Sequence, residues 1–432
     1  MSFRFALCTA SVLAASTAMG DVDEMPLDAA VKAVEPQVIE WRRDFHAHPE
    51  LSNRETRTAE IVAKQLRALG LEVKTGIGLT GVAAVLRGAQ PGPTLGLRAD
   101  MDALPVTEQV DVPFKSRVTT QFRGETVGVM HACGHDAHVA MLLGVAKVLS
   151  AQRQSLRGQV LFIFQPAEEG APEGETGGAN RMLTEGLFDI AKPEAVFGLH
   201  VIASLPTGVI GYRPGPMMAG SDSFTINVVG RQTHGSRPWG GVDPVVAAAE
   251  IVSGLQTIVS RQVDITEIPT VISIGAIKGG IRFNIIPDSV EMIGTLRTFD
   301  TGVRADVIER MNRTVTNIAA AHGATATLTV RDNAIPPVVN HAALTQRVLP
   351  SLERSVGKDH VRTISLQTTA EDFSFYGQQV PSFFFWVGIT PPDRDPATTA
   401  FNHSPLFYLD ESGMAVGMRA ILAVATDYLQ GK

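Results

Sequence analysis

The stretch QVLFIFQPAEEG, residues 159–170, carries a short apolar run followed, after Gln165-Pro166-Ala167, by two adjacent acids. Residues 159–164 show no polar alternation, which suits a strand covered on both faces in a largely parallel sheet. Open α/β sheets place their ligands beyond the carboxyl ends of such strands. Glu168 and Glu169 stand at that end. Adjacent carboxylates there point in different directions, which suits one for holding a metal and the other for moving protons.

Working outward, residues 82–86, 94–97 and 195–199 are further apolar runs of strand length, while 28–45, 55–69, 138–149 and 179–183 read as helices. That alternation predicts an α/β domain. Arg98, Asp100 and Asp102 follow one of these runs and His200 follows another, so acid and imidazole chemistry gathers at several strand ends. The texture changes near residues 215–220. Strand 223–229, helix 244–260, strands 270–277 and 289–297, helix 305–321 and strand 325–330 then follow in the order of a small ferredoxin-like α+β sandwich. Pro336 and Pro337 mark the exit, after which helix 343–356, strand 382–387 and helix 412–429 resume the first texture. The predicted organisation is a catalytic domain at 21–217 and 336–432, with a lid or dimerisation domain inserted at 218–335.

Residues 1–20 have the shape of a signal peptide: Arg4, an apolar run, then Ala18 and Gly20 at the positions a signal peptidase reads. The run is too short to span a membrane. The expectation is an exported chain, periplasmic or secreted. A net charge of −7 without a basic run argues against nucleic acid or a membrane surface as partner. Of the two cysteines, Cys8 falls in the leader and leaves Cys133 alone. A lone thiol outside the cytoplasm needs burial or a metal to protect it.

Cys133 belongs to HACGHDAH, residues 131–138. In extended or looped backbone, Cys133 and His135 turn to one side, and thiolate and imidazole both suit borderline divalent ions. A two-residue spacing cannot do this on a helix, so the helix should start near Ala137. His138 competes with Cys133 as the partner of His135. Phe401-Asn402-His403 places another histidine in a downstream loop, bland when read alone. Met217, Met218, Phe373 and Phe375 would suit an apolar pocket, although such residues are more often plain core.

Taken together, RADMDALP (98–105), HACGHD (131–136), QPAEEG (165–170), GLH (198–200), THGSRP (233–238), NIIP (284–287), AEDFS (370–374) and NHSP (402–405) carry a resemblance. The chain resembles the amidohydrolase branch of the metal-dependent aminoacylase and carboxypeptidase superfamily, which includes hippurate hydrolases, auxin-conjugate hydrolases and N-acetyl-diaminopimelate deacetylases. The resemblance covers nearly the whole chain after the leader. It implies a zinc-exopeptidase-like domain with an inserted lid, and a homodimer or homotetramer formed through that lid. It implies hydrolysis of N-acyl amino acids by two divalent ions, zinc or manganese, with cobalt or nickel also accommodated. Cys133, His135, Glu169, His200 and His403 are the implied ligands, with Cys133 bridging. Glu168 is the implied base and Asp100 the orienting carboxylate, a role for which Asp102 is the rival. Arg98 stands where most distant relatives have a histidine ligand. His234, often supplied by a partner subunit in relatives, is the implied oxyanion donor; Asn284 and Arg297 are candidates for the substrate carboxylate.

Other readings are a metallo-carboxypeptidase or dipeptidase acting on short peptides, a cysteine nucleophile with His135 as base, and a non-catalytic binding protein. The second leaves Glu168, Glu169, His200 and His403 without roles, and the third predicts that Glu168 would be missing.

Overall fold

The computed structural model describes residues 26–332 and 334–432, and the leader read at 1–20 lies outside them. In chain order the larger domain has strands β1 (Glu72–Ile77), β2 (Gly81–Arg87), β3 (Gln90–Asp100), β4 (Arg157–Gln165), β5 (Ala195–Pro206) and β6 (Ile210–Tyr212). The lid adds β7 (Gly220–Val229), β8 (Val271–Gly279), β9 (Ser289–Thr298) and β10 (Thr325–Val330), and the chain returns with β11 (Val361–Thr363) and β12 (Ser382–Thr390). The principal helices are α1 (Leu27–Ala47), α2 (Thr56–Ala68), α3 (His135–Ala151), α4 (Pro244–Gln262), α5 (Thr301–Ala321), α6 (Ala342–Val356) and α7 (Ser412–Leu429).

Eight strands form one sheet in the order β1-β2-β4-β3-β5-β12-β6-β11. Its centre, β4, β3, β5 and β12, is parallel, and antiparallel pairings join β1 to β2, β2 to β4 and β6 to β12. The sheet is therefore mixed, with its parallel part where the continuous apolar runs lie. Alternate residues of one strand feed opposite cores, as strand geometry requires. Phe383 and Phe385 of β12 join Val38, Leu143 and Leu422 on one face. Phe384 and Trp386 join Met182, Met217, Phe373 and Tyr376 on the other. Two of the four candidate pocket residues, Met217 and Phe373, are thus plain core.

The lid is a second sheet in the order β8-β9-β7-β10, antiparallel throughout. Both its helices lie on one face, because each repeats apolar residues at close to helical spacing. Ala247, Ile251, Leu255 and Ile258 of α4 and Val307, Met311, Val315 and Ala319 of α5 pack on Phe224, Ile226 and Val228 of β7. Asp243 and Asp300 cap the two helices. The chain crosses into and out of the lid along one antiparallel pair, Gly215–Met218 against Val338–Asn340. No helix among the described residues is long and apolar enough to cross a membrane.

Two expectations about local structure need correction. Helix α3 begins at His135 rather than near Ala137, because Gly134 takes φ 97° and turns the chain directly into the helix. Strand β5 continues through His200 to Pro206, because Val201, Ile202 and Ala203 are buried and β12 pairs alongside them. Gly134→Ala tests the first point. A Cβ there would sit 2.3 Å from Val201 Cγ2 on a left-handed backbone. It should lower unfolding stability by at least about 1–2 kcal/mol in denaturant titrations.

Candidate active site

Helix, strand and loop ends converge on one crevice. β3 leaves the sheet after Asp100 and β4 after Gln165, while β5 runs on between β3 and β12. That difference in length opens a space beside His200, into which the loops after β4, before α3 and around residue 403 deliver side chains.

Cys133 Sγ lies 3.3 Å from His200 Nε2 and 3.2 Å from His403 Nε2. His403 Nε2 is also 3.0 Å from Glu169 Oε1. His135 Nε2 is 3.9 Å from Glu168 Oε2. Donor atoms of Cys133, His135 and His200, of Cys133, Glu169 and His403, and of His135, Glu168 and Glu169 each fall within 4.8 Å of one another. The structure thus brings together all five sequence-implied ligands and the implied base. Two overlapping sets share Cys133, the arrangement a pair of ions bridged by a thiolate would need.

The residues fit metal on their own chemistry. His200 Nδ1 donates to the Val201 carbonyl at 2.6 Å, which leaves the Nε2 lone pair facing Cys133. His135 Nε2 is fully buried and without a hydrogen-bond partner among the described residues. Burial, Glu169 and Glu168 push the Cys133 thiol up, the reverse of what an activated cysteine nucleophile requires. Burial, Glu371 and Glu169 likewise raise Glu168 well above the carboxylate range. These donors repel one another and call for positive charge, the condition a divalent cation meets.

Of the two acids read for the orienting role, Asp102 is the one set against both His135 and the glutamate loop. Asp102 Oδ1 is 3.3 Å from His135 Nδ1 and accepts the Glu168 amide at 3.1 Å. Its Oδ2 accepts the Glu169 amide at 3.0 Å and the Ser52 hydroxyl at 2.7 Å. Asp100 instead accepts from His138 Nδ1 at 2.5 Å and from Arg98 Nη1 at 2.7 Å, and lies 3.8 Å from His135 Nε2. Burial pushes Asp100 up, but His135, Arg98 and His138 outweigh it and hold it well below the usual range. His138 is taken up by Asp100 and by the Val201 amide, which donates to its Nε2. His131 is buried near Asp136, and burial lowers it to about 3.

A cavity of about 630 Å³ opens over these donors, walled by Ile202, Trp386 and Phe401 from the larger domain and by Met218, Ser221, Val271 and Arg297 toward the lid. The Arg297 guanidinium has no hydrogen bond or ion pair among the described residues, and burial lowers its pKa against the pull of Asp222. His234 and Asn284 do not line this cavity. His234 is exposed on a two-stranded ribbon opposite Ile285, and its Nδ1 accepts from the Ser236 amide and hydroxyl. Asn284 accepts the Gly235 amide on the same ribbon through its own carbonyl.

Comparison with known proteins agrees with this geometry. Residues 96–427 match the model of Peptidase family M20/M25/M40. The chain belongs to that family. It is 40% identical to thermostable carboxypeptidase 1 of Saccharolobus solfataricus, over 91% of this chain and 96% of the relative. It is 37% identical to an N-acetylcysteine deacetylase of Bacillus subtilis, over 93% and 99%. A solved dinuclear metal binding peptidase of the M20 family, also from Bacillus subtilis, superposes with a TM-score of 0.75 at 35% identity, covering 92% of this chain and 99% of that one.

Several residues of this M20 site escape sequence reading. Asn402 Nδ2 bridges the Cys133 and Val201 carbonyls at 3.0 and 3.1 Å. Glu371 and Asp372 receive Arg98 Nη2 at 2.9 and 3.1 Å. The AEDFS segment holding those two acids was the available signal, as an acid pair beside buried aromatics. Asp102→Asn should weaken zinc affinity by roughly 10–100-fold in chelator competition, while Asp100→Asn should lower chiefly the melting temperature.

Proposed function

We propose that this chain is a metal-dependent amidohydrolase that cleaves the amide bond of N-acyl amino acids, giving a carboxylic acid and a free amino acid. The observation that carries the reading is one cavity holding both the donor cluster with Glu168 and the unpaired guanidinium of Arg297. The N-acetylcysteine deacetylase relative supports the substrate class.

Cys133, His135, Glu169, His200 and His403 would hold two divalent ions, which as Lewis acids acidify water and polarise a carbonyl. Glu168 faces the same cavity as base: it takes the proton of the attacking water and returns it to the leaving amine. Asp102 keeps Glu168 and Glu169 in place through their backbone amides. Arg297 binds the carboxylate of the amino acid, and a planar guanidinium can do so through two parallel bonds. Trp386 and Phe401 offer apolar wall to the rest of the substrate.

Negative charge developing on the carbonyl oxygen needs a donor, and His234 of a second copy is the candidate. What supports an assembly through the lid is the apolar surface beside His234: Ile281 is 98% exposed, Phe283 94% and Trp239 74%. The leader read at 1–20 adds export to the proposal, and burial of Cys133 is compatible with an oxidising compartment.

The carboxypeptidase relative favours a second reading, cleavage of short peptides. A panel of N-acetyl and N-benzoyl amino acids against dipeptides, after metal stripping and reloading, separates the two. The expected result is hydrolysis that disappears on chelation and returns with zinc or manganese, with acyl amino acids preferred by kcat/KM. Glu168→Gln should lose about 10²–10⁴-fold in kcat. Arg297→Met should raise KM with a smaller change in kcat. Full turnover by Glu168→Gln would remove the base assignment.

A further inference from the structure

The turn joining α1 to α2 contains an acid that the chemistry above does not use. Glu55 is fully buried. Its Oε1 accepts the amides of Asn53 at 3.0 Å and Ala167 at 2.9 Å, and its Oε2 accepts the Thr80 hydroxyl at 2.6 Å. One carboxylate thereby ties together three segments far apart in sequence.

Ala167 is the residue directly before the base, and its φ is 51°. That is the left-handed region, which L-residues with a Cβ seldom enter. The turn it makes after Pro166 delivers the Glu168 and Glu169 amides to Asp102. The elbow is gripped from outside as well. A Cβ on Gly177 would fall 2.8 Å from the Ala167 Cβ and 2.9 Å from Asn53 Oδ1. Asn53, itself at φ 62°, donates through Nδ2 to Glu175 at 2.9 Å and to the Thr176 carbonyl at 3.2 Å. Burial, with Asp102 nearby, pushes the Glu55 carboxyl up to about 7 against the pull of its donors. The strain of a left-handed alanine is of the same order as one hydrogen bond to a charged acceptor, so loss of that bond lets the elbow relax.

We propose that Glu55 is a positioning residue of the metal centre, holding the Ala167 elbow so that Glu168 and Glu169 leave the strand in the directions their roles require. It rests on the reading of Glu169 as a ligand and not on the identity of the substrate.

The test uses the full chain, stripped of metal and titrated with zinc ion against a chromogenic chelator, alongside kcat, KM and thermal melting. Glu55→Leu keeps the bulk and removes the acceptors. It should weaken zinc binding at one site by about tenfold and lower kcat by about 10–100-fold, with KM within about threefold. Glu55→Gln should stay within about threefold in all of these, because its amide oxygen accepts both N–H groups and its NH₂ can donate to Thr80 Oγ1. Unchanged zinc affinity and kcat in folded Glu55→Leu, with only the melting temperature lowered, would overturn the proposal. Should that variant fail to fold, Glu55→Asp decides: it keeps the charge but draws the carboxylate back from the Ala167 amide, and a zinc affinity equal to the parent's sinks the idea. Glu169→Gln runs in parallel. If that variant binds zinc as the parent does, the ligand assignment is what has failed, and this proposal falls with it.

Discussion

Arg98 carries the electrostatic balance of the site. Its guanidinium is buried, and its nitrogens reach Asp100, Glu371, Asp372 and the Gln165 side chain. Three carboxylates from two distant segments are held by one cation. Gln165 passes the constraint on, donating to Asp372 and accepting from the Tyr376 hydroxyl. Removing Arg98 would take the shared cation from three buried carboxylates at once, leaving Asp100 to His138, Asp372 to Gln165 and the Ala179 amide, and Glu371 to the Phe373 amide. Here a fixed side-chain cation supplies positive charge on that flank, and the donors facing Cys133 are left for metal.

The acids around the crevice divide accordingly into two groups. Asp100, Glu371 and Asp372 have their counter-charge built in. Glu168, Glu169 and the Cys133 thiol do not; burial first, then the neighbouring acids, Glu371 among them for Glu168, raises Glu168 and Cys133. Asp102 stands between the groups, satisfied by a hydroxyl and two backbone amides and close to His135. It thereby couples the direction of Glu168 to the orientation of His135. A single carboxylate accepting from successive amides fixes the relative placement of Glu168 and Glu169 better than either side chain's own packing could.

What could be read from the sequence follows from this division. The strand ends were legible because strands covered on both faces must be continuously apolar, and a charge directly after one needs a reason. The lid order was legible because α4 and α5 repeat apolar residues at nearly regular intervals. Asp100 and Asp102 could not be ranked by spacing, since residues two apart at a strand end face the same way. Arg98 and His138 claim one and the loop after β4 claims the other, and neither claim is local. The start of α3 was missed because Gly134 can enter a helix from a left-handed turn, which its neighbours do not announce. Glu55 and Asn402 were invisible for a related reason. Both act on backbone groups more than a hundred residues away, and backbone groups leave no mark in composition or motif.

The lid applies the same logic with the opposite sign. Arg297 pairs across the sheet with Ser221 and Val271, and all three line the cavity. The neighbouring acid, Asp222, is one residue further along β7, so it faces the other side. There its two oxygens are taken by Arg304 at 2.6 and 2.8 Å. Arg297 is thus left half-buried, with its nearest acid already committed. A crevice short of positive charge and a lid strand short of negative charge share one cavity. The ligand that answers both deficits carries a carboxylate at one end and a carbonyl with a lone-pair oxygen at the other. In an N-acyl amino acid those two groups flank the nitrogen that leaves, so on the proposed reading binding at both ends would bring the scissile bond to Glu168.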